Sequence, residues 1–541
     1  MRPINFAGFT GANKARDSRE LLETVCTSLI DADPNSAGAL VPLRGRTTVA
    51  TVPTSPQRKT LWRMGRDVAS SANYWLSWST EVSAALMPGD DTTERTMFSG
   101  SGTPKWTNNV IALGGTPYPQ ASRELAVPAP DSAVTMVLTT DGASGTTADR
   151  FYVETFVNDL GWESAPSPVS AALSCKPGAI VALTLNATPP AGNYGFTARR
   201  LYRTQPETDG SADFFFLREV PIATASTSDD ARALGELLPT EGFLPPPSDG
   251  FGLSALWNDM VCMLSGKNLY FSEPGYVYAY PLKNIKPLAD KPVTTITWGQ
   301  NLLVLTAGTP VHFAGQSPDS MQDYPPSQAW ACRSMRSAVS FAHGVVWASS
   351  EGLAYYGDGG RYLVTDGLIT PDQWKAMNPD TMVAGRWGRF YVCSYDSGGG
   401  VLKGFLLDPI KPAEGLRELS SGFHACHYDP LVDALFVLEG GNVRRFADPA
   451  AALLTATAVS KQFLQPKPVN FGFAKVKADA YPVTLKVFAD GTLIDTRTVD
   501  SADAFTLPGE FVAEQWQAEL NTTQRVVIAR LATKPEHLKG A

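Results

Sequence analysis

Five histidines are spread over 541 residues, and only His424-Ala425-Cys426-His427 brings metal-binding side chains close together in sequence. A tetrahedral site needs four converging ligands. An i, i+3 pair converges on a helix or a tight turn, whereas this segment leads into an apolar run with strand character, where neighbouring side chains point apart. No metal is expected there. Gly-x-Ser-x-Gly, P-loop and His-Glu-x-x-His patterns are absent from the sequence. Gly398-Gly399-Gly400 reads as a flexible turn, because no helix follows it to present backbone N–H groups to a phosphate. Asp358-Gly359-Gly360 and Asp366-Gly367 read as loop tips. Carboxylate pairs, which glycoside cleavage would need, occur at Asp90-Asp91 and Asp229-Asp230, both in polar stretches that read as solvated turns. The six cysteines (Cys26, Cys175, Cys262, Cys332, Cys393 and Cys426) form no Cys-x-x-Cys pair and read as buried free thiols of a reducing compartment. No catalytic constellation emerges, so the expectation is a protein that is not an enzyme and carries no cofactor.

The elements around these residues are short strands. From Leu253 to Asp448 the chain repeats a pair of apolar runs joined by a tight turn. The turns fall near Asn258, Gly299, His343, Trp387 and Pro430, in steps of 41, 44, 44 and 43 residues. A repeat of roughly 40–50 residues with about four strands per unit is the signature of propeller blades. A lone blade leaves two apolar faces wet, and stacking blades around an axis buries both. The fold class expected is therefore all-β, a β-propeller. An evenly spaced β-sandwich is the competing arrangement.

Composition agrees. Apolar residues make up 43% and charged residues 18%, with 46 Gly and 41 Pro, which suits short strands separated by turns. The length exceeds that of a single core. The net charge of −8 argues against broad attachment to nucleic acid. No apolar signal core opens the chain and no run reaches ~18 apolar residues, so a cytoplasmic origin without a membrane span is expected.

The flanking segments complete the layout. Residues 1–50 read as an N-terminal arm, with Ser18 to Ile30 as a short helix or strand carrying Leu21, Leu22, Val25 and Leu29. Such an arm is expected to reach a neighbouring subunit or to hang free. Residues 51–120 read as the first one or two blades. Trp75 and Trp78 cannot share one face of a regular strand. Residues 121–247 break the repeat between Pro-rich flanks. There Tyr152-x-x-Thr155, Gly161-Trp162-Glu163-Ser164-Ala165-Pro166-Ser167 and Arg200-Leu201-Tyr202-Arg203 resemble a fibronectin type III module inserted into the propeller. Residues 248–454 hold the remaining blades, and 455–541 form a small C-terminal β domain with an Asp490-Gly491 hairpin turn.

Taken together, this order resembles the tail nozzle, or tail tubular hub, proteins of short-tailed bacteriophages. The stretches that carry the likeness are Asn5-Phe6-Ala7-Gly8-Phe9-Thr10-Gly11-Ala12-Asn13, Gly161-Trp162-Glu163-Ser164 and Phe488-Ala489-Asp490-Gly491. The resemblance implies a virion structural protein made in the host cytoplasm. It implies a hexameric ring at the distal end of a tail, with an adaptor ring above, fibres or spikes outside, and viral DNA passing without specific binding. The competing expectation is a propeller-type receptor-binding or glycan-cleaving tail protein. Large apolar anchors are needed for subunit or partner contacts, and Trp75, Trp78, Trp106 and Trp162 are the candidates.

Overall fold

The computed structural model describes residues 3–36, 38–64, 74–89, 92–206, 212–324 and 329–538. Among these residues, seven antiparallel sheets stand around one axis. Blade 1 is Thr60–Arg63 with Trp75–Trp78. Blade 2 is Ser83–Leu86, Thr96–Ser99, Lys105–Thr107 and Arg123–Glu124. Blade 3 is Phe251–Ala255, Val261–Ser265, Asn268–Phe271 and Ile285–Pro287. Blade 4 is Pro292–Trp298, Asn301–Thr306, Val311–Ala314 and Gln322–Tyr324. Blade 5 is Val339–Phe341, Gly344–Ala348, Leu353–Gly357 and Gly360–Leu363. Blade 6 is Val383–Trp387, Phe390–Asp396, Leu402–Leu407 and Arg417–Leu419. Blade 7 is Ala425–Asp429, Ala434–Glu439 and Asn442–Arg445, completed by Thr47–Thr51 from the other end of the chain.

The expected turns are the hairpins between the first two strands of blades 3 to 7. Asn258 and Asp259 (φ 55° and 54°), Gly299 (φ 52°) and Gly388 (φ 55°) supply the left-handed conformation that such turns require. Each neighbouring pair of blades shares a buried apolar cluster. Leu76, Trp78 and Phe98 fill the seam between blades 1 and 2. Met97, Trp106, Val261 and Met263 fill the next. The ring closes between blades 7 and 1, where Leu61 and Trp75 meet Phe436 and Leu438.

Residues 3–50 are not an arm. Ile4–Ala7 pairs with Val526–Ala532, Ser28–Ile30 lies between blade 6 and Ala456–Val459, and Thr47–Thr51 is the outer strand of blade 7. The helix considered for Ser18 to Ile30 is replaced by the strands Val25–Cys26 and Ser28–Ile30. Leu21 is buried, Leu22 points to solvent and Leu29 is buried. Tertiary pairing overrides the short helical periodicity, because Ile4, Phe6, Phe9 and Leu29 lose their exposed surface only inside the chain's own core.

The C-terminal region is likewise no separate body. Its two sheets enclose Val476, Leu485, Val487, Trp516 and Leu520, in one continuous cluster with Val346 of blade 5 and Tyr391 of blade 6. One of these sheets runs on from blade 6 through Ser28–Ile30 to give ten strands. Asp490 (φ 47°) and Gly491 (φ 80°) form the expected hairpin turn.

The insertion is a sandwich of Thr135–Thr140, Ile180–Thr184 and Ser226–Asp229 against Tyr152–Asn158, Phe196–Pro206 and Ala212–Pro221. Tyr152, Val181, Leu183, Leu201 and Leu217 fill the space between its sheets.

Because Phe6 is buried on the strand that joins the two ends of the chain, Phe6→Ala is expected to lower the unfolding free energy by about 3 kcal/mol, read from a urea denaturation midpoint.

Candidate interaction surfaces

The side chains with chemical potential are placed structurally. Cys426 and His427 are consecutive residues of the first strand of blade 7. Cys426 lines the axis, while His427 packs between Trp62 and Trp75 of blade 1, with ring centroids 5.0 and 6.0 Å away. Burial pushes the Cys26, Cys262, Cys332 and Cys426 thiols up to about 12, far from nucleophilic use at neutral pH. Five cysteines are buried, Cys426 is half-buried, and all six are free. Among the described residues no group of three or more His, Cys, Asp or Glu converges.

Asp229-Asp230 is not a solvated turn throughout. Asp229 is fully buried, where its carboxylate accepts from Tyr152 Oη (2.8 Å) and Arg203 Nη1 (2.6 Å) and lies 3.5 Å from Arg150 Nη1. Two cations and a hydroxyl compensate its desolvation, while Asp230 stays outside with Arg218 and Arg232. Asp90 and Asp91 lie outside the described residues.

The tryptophans chosen as contacts are mostly inside. Trp75 is 2% exposed against Phe436, Trp78 is 7% exposed against Phe98, and Trp106 is 3% exposed. The first two do face opposite seams, as side-chain alternation requires, but both faces of a blade are covered by neighbours. Neither they nor Trp106 can serve as a subunit contact.

Trp162 instead fixes the insertion to the propeller. Asn158 Oδ1 accepts from Leu160 N (3.0 Å) and Trp162 N (2.9 Å), and Gly161 takes φ 77°, so the chain turns sharply there. The Trp162 ring then stacks on Tyr278 of blade 3 at 4.9 Å and meets Trp106 of blade 2 edge-on at 6.2 Å. Glu163 N donates to Tyr278 Oη (3.1 Å). The Glu163 carboxylate accepts from Thr155 Oγ1 (2.6 Å), Tyr202 Oη (2.6 Å) and Arg200 Nη1 (2.7 Å). An aromatic clamp and a saturated carboxylate therefore hold one orientation of the sandwich.

The exposed apolar surface lies along that junction. A groove of about 390 Å³ is lined by Tyr202, Phe216, Leu237 and Pro239, with Arg200 and Glu219 at its rim. It adjoins one of about 600 Å³ lined by Pro239, Phe243, Leu244, Pro281 and Leu282, with Glu241, Glu273 and Lys283. Leu237 is 53% exposed and Leu282 71% exposed, and Leu244 and Tyr276 are also open to solvent. Apolar side chains crowded this way on a surface mark contact sites. The sequence signal was the apolar pair before the prolines in Phe243-Leu244-Pro245-Pro246-Pro247, which reads only as a Pro-rich flank of the insertion, and Pro281-Leu282 carries no pattern of its own.

No family model matches the chain, and no curated protein matches it. Among solved structures, the WD40 domain of Toxoplasma gondii coronin is 8% identical over 76% of this chain and 89% of that one, with a TM-score of 0.26. PorZ, a bacterial surface component of the type-IX secretion system of Porphyromonas gingivalis, is 11% identical over 93% of this chain and 86% of that one, with a TM-score of 0.25. The propeller assignment rests on the blade pairing itself.

Burial lowers the His427 imidazole from 6.5 to about 4. Its neutral form supports the last seam fully above pH 6.5, and that support is lost as pH falls toward about 4, since the unfolded chain then binds the proton more tightly. Urea midpoints are expected to drop across this window in the native chain and to drop less in His427→Phe. Removing the clamp with Trp162→Ala is expected to cost about 3 kcal/mol and to expose residues 239–247 to limited proteolysis, while Val110→Ala, on an exposed side chain, changes neither.

Proposed function

We propose that this chain is a structural subunit of a virion tail: six copies form the distal nozzle ring of a short-tailed bacteriophage, giving DNA an ejection channel and fibres or spikes a platform. The observation that carries this reading is the adjoining apolar groove pair along Leu237, Pro239, Leu244 and Leu282, which runs from the insertion onto blade 3. A ring subunit needs such a surface, because heterologous contacts must repeat at one fixed angle to close. The interlocked chain ends support it too, since a tube wall must not yield when a neighbour pulls on it.

The channel in this reading runs between subunits. The cavity on the propeller's own axis is about 230 Å³, far too small for a duplex. A net charge of −8 favours passage of DNA over retention. Among the described residues no helix is long and apolar enough to cross a membrane.

A second reading, a receptor-binding or glycan-cleaving propeller, draws on one place. Tyr324 is 51% exposed beside His312 (5.9 Å), which contacts Trp298 (5.1 Å) and Tyr356 (5.6 Å), and Trp298 Nε1 lies 3.4 Å from Asp358 Oδ1. Aromatic faces beside a carboxylate suit a sugar ring.

Native mass spectrometry with negative-stain imaging tests the first reading. Sixfold rings, alone or on a portal–adaptor complex, are expected, and Leu282→Asp with Leu237→Asp is expected to leave a folded monomer by circular dichroism. A monomer that never assembles and shortens bacterial surface glycan would replace this reading with the second.

A further inference from the structure

The cavity on the propeller axis has a charge pattern that the nozzle reading does not use. It lies near the start of the first strands, lined by five of the seven blades and the turn that leads into a sixth: Lys59 to Trp62 at blade 1, Val82 to Ala84 at blade 2, Thr294 to Ile296 from blade 4, Met335, Arg336 and Ala338 ahead of blade 5, Val383 and Ala384 from blade 6, and Cys426 from blade 7. The lining holds two cations and no carboxylate, in a chain with eight more negative than positive charges.

Arg336 is the centre of it. Its side chain is 21% exposed, Nη1 donates to His424 O at 3.0 Å, and Nε stands 3.4 Å from Glu81 Oε1 without a hydrogen bond of good geometry. No partner for its Nη2 occurs among the described residues. Lys59 makes no ion pair with any described residue, and Ser83 Oγ has no described partner either. Burial lowers the Arg336 pKa, with Glu81 opposing. A partly buried guanidinium with an unsatisfied Nε and unused donors gains from a charged acceptor, because hydrogen bonds between ionised partners are stronger than neutral ones. Glu81 faces only Nε and leaves the other donors of the guanidinium to another acceptor, and the second cation, Lys59, is solvent-exposed at the cavity without a carboxylate partner among the described residues.

We infer that this axial cavity is a binding site for a small oxyanion, of orthophosphate or short-dicarboxylate size, held by the Arg336 guanidinium and the Lys59 ammonium with Ser83 Oγ as a further donor. A volume of about 230 Å³ admits such an ion. The blade ends would then be bridged from the axis by a shared ligand. The inference is independent of whether the chain forms a ring.

Isothermal titration calorimetry on the full chain tests it, with sodium phosphate and sodium succinate titrated separately at constant ionic strength and chloride. Saturable binding of one ion per chain is expected from one of the two, and which one responds identifies the ligand chemistry. Lys59→Met and Arg336→Gln are each expected to weaken it about tenfold or more, the loss typical of one charge-assisted contact. Lys534→Met, on a remote exposed side chain, is expected to leave it unchanged. If Arg336→Gln fails to fold, Lys59→Met decides alone, because this lysine supports no ion pair in the described fold. Absence of saturable heat with both ions, or equal losses in Lys59→Met and Lys534→Met, would overturn the site.

Discussion

Closure of the ring governs everything else. Blades bury their two apolar faces only when each has a neighbour on both sides; blade 1 is the last neighbour of blade 7, and the pairing of Thr47–Thr51 with Asn442–Arg445 ties the chain leading into blade 1 to the edge of blade 7. The strand is anchored beyond its ladder: Arg46 pairs with Glu439, and Thr47 hydrogen-bonds Asp448. Without it blade 7 would end in an open edge and the Trp75–Phe436 seam would lose its frame. The same N-terminal segment places Ser28–Ile30 and Ile4–Ala7 into the C-terminal sheets, so one stretch of about fifty residues closes the propeller and roofs it.

The insertion depends on this rigidity. Its clamp spans blades 2 and 3, with Trp162 between Trp106 and Tyr278, so its orientation is only as fixed as the seam beneath it. The groove along Leu282 is shaped by both bodies, whereas the adjoining one along Leu237 is lined by the insertion alone. A change in the angle between sandwich and propeller would reshape the Leu282 groove and its join to the Leu237 groove, and this ties the proposed contact surface to the clamp.

How much of this was legible in sequence follows the range of the interactions. The blade spacing was legible because hairpins are local: Asn258, Gly299 and Gly388 carry the backbone conformation the turns need within a few residues. The Asp490-Gly491 hairpin and the opposite facing of Trp75 and Trp78 were legible for the same reason. The N-terminal strands were not. They are two to five residues long, and the partners of Ile4–Ala7 lie more than five hundred residues away. Asp229 looked like a loop residue because Arg150 and Arg203, which permit its burial, are remote in sequence. The contact tryptophans misled because a large aromatic residue serves a seam inside one chain as well as one between chains. Leu282 and Leu244, hidden among prolines, carried no periodic signal.

The pairing of Ile4–Ala7 with Val526–Ala532 has a consequence for how the molecule comes into being. On a ribosome the first strand emerges long before its partner exists, and seven blades must wait on pieces made at opposite ends of synthesis. Local hairpins can form early and the ring can close once Asn442–Arg445 has emerged, but the roof waits for Val526–Ala532. Until then the strand that carries Phe6 lacks the partner beside which it is buried.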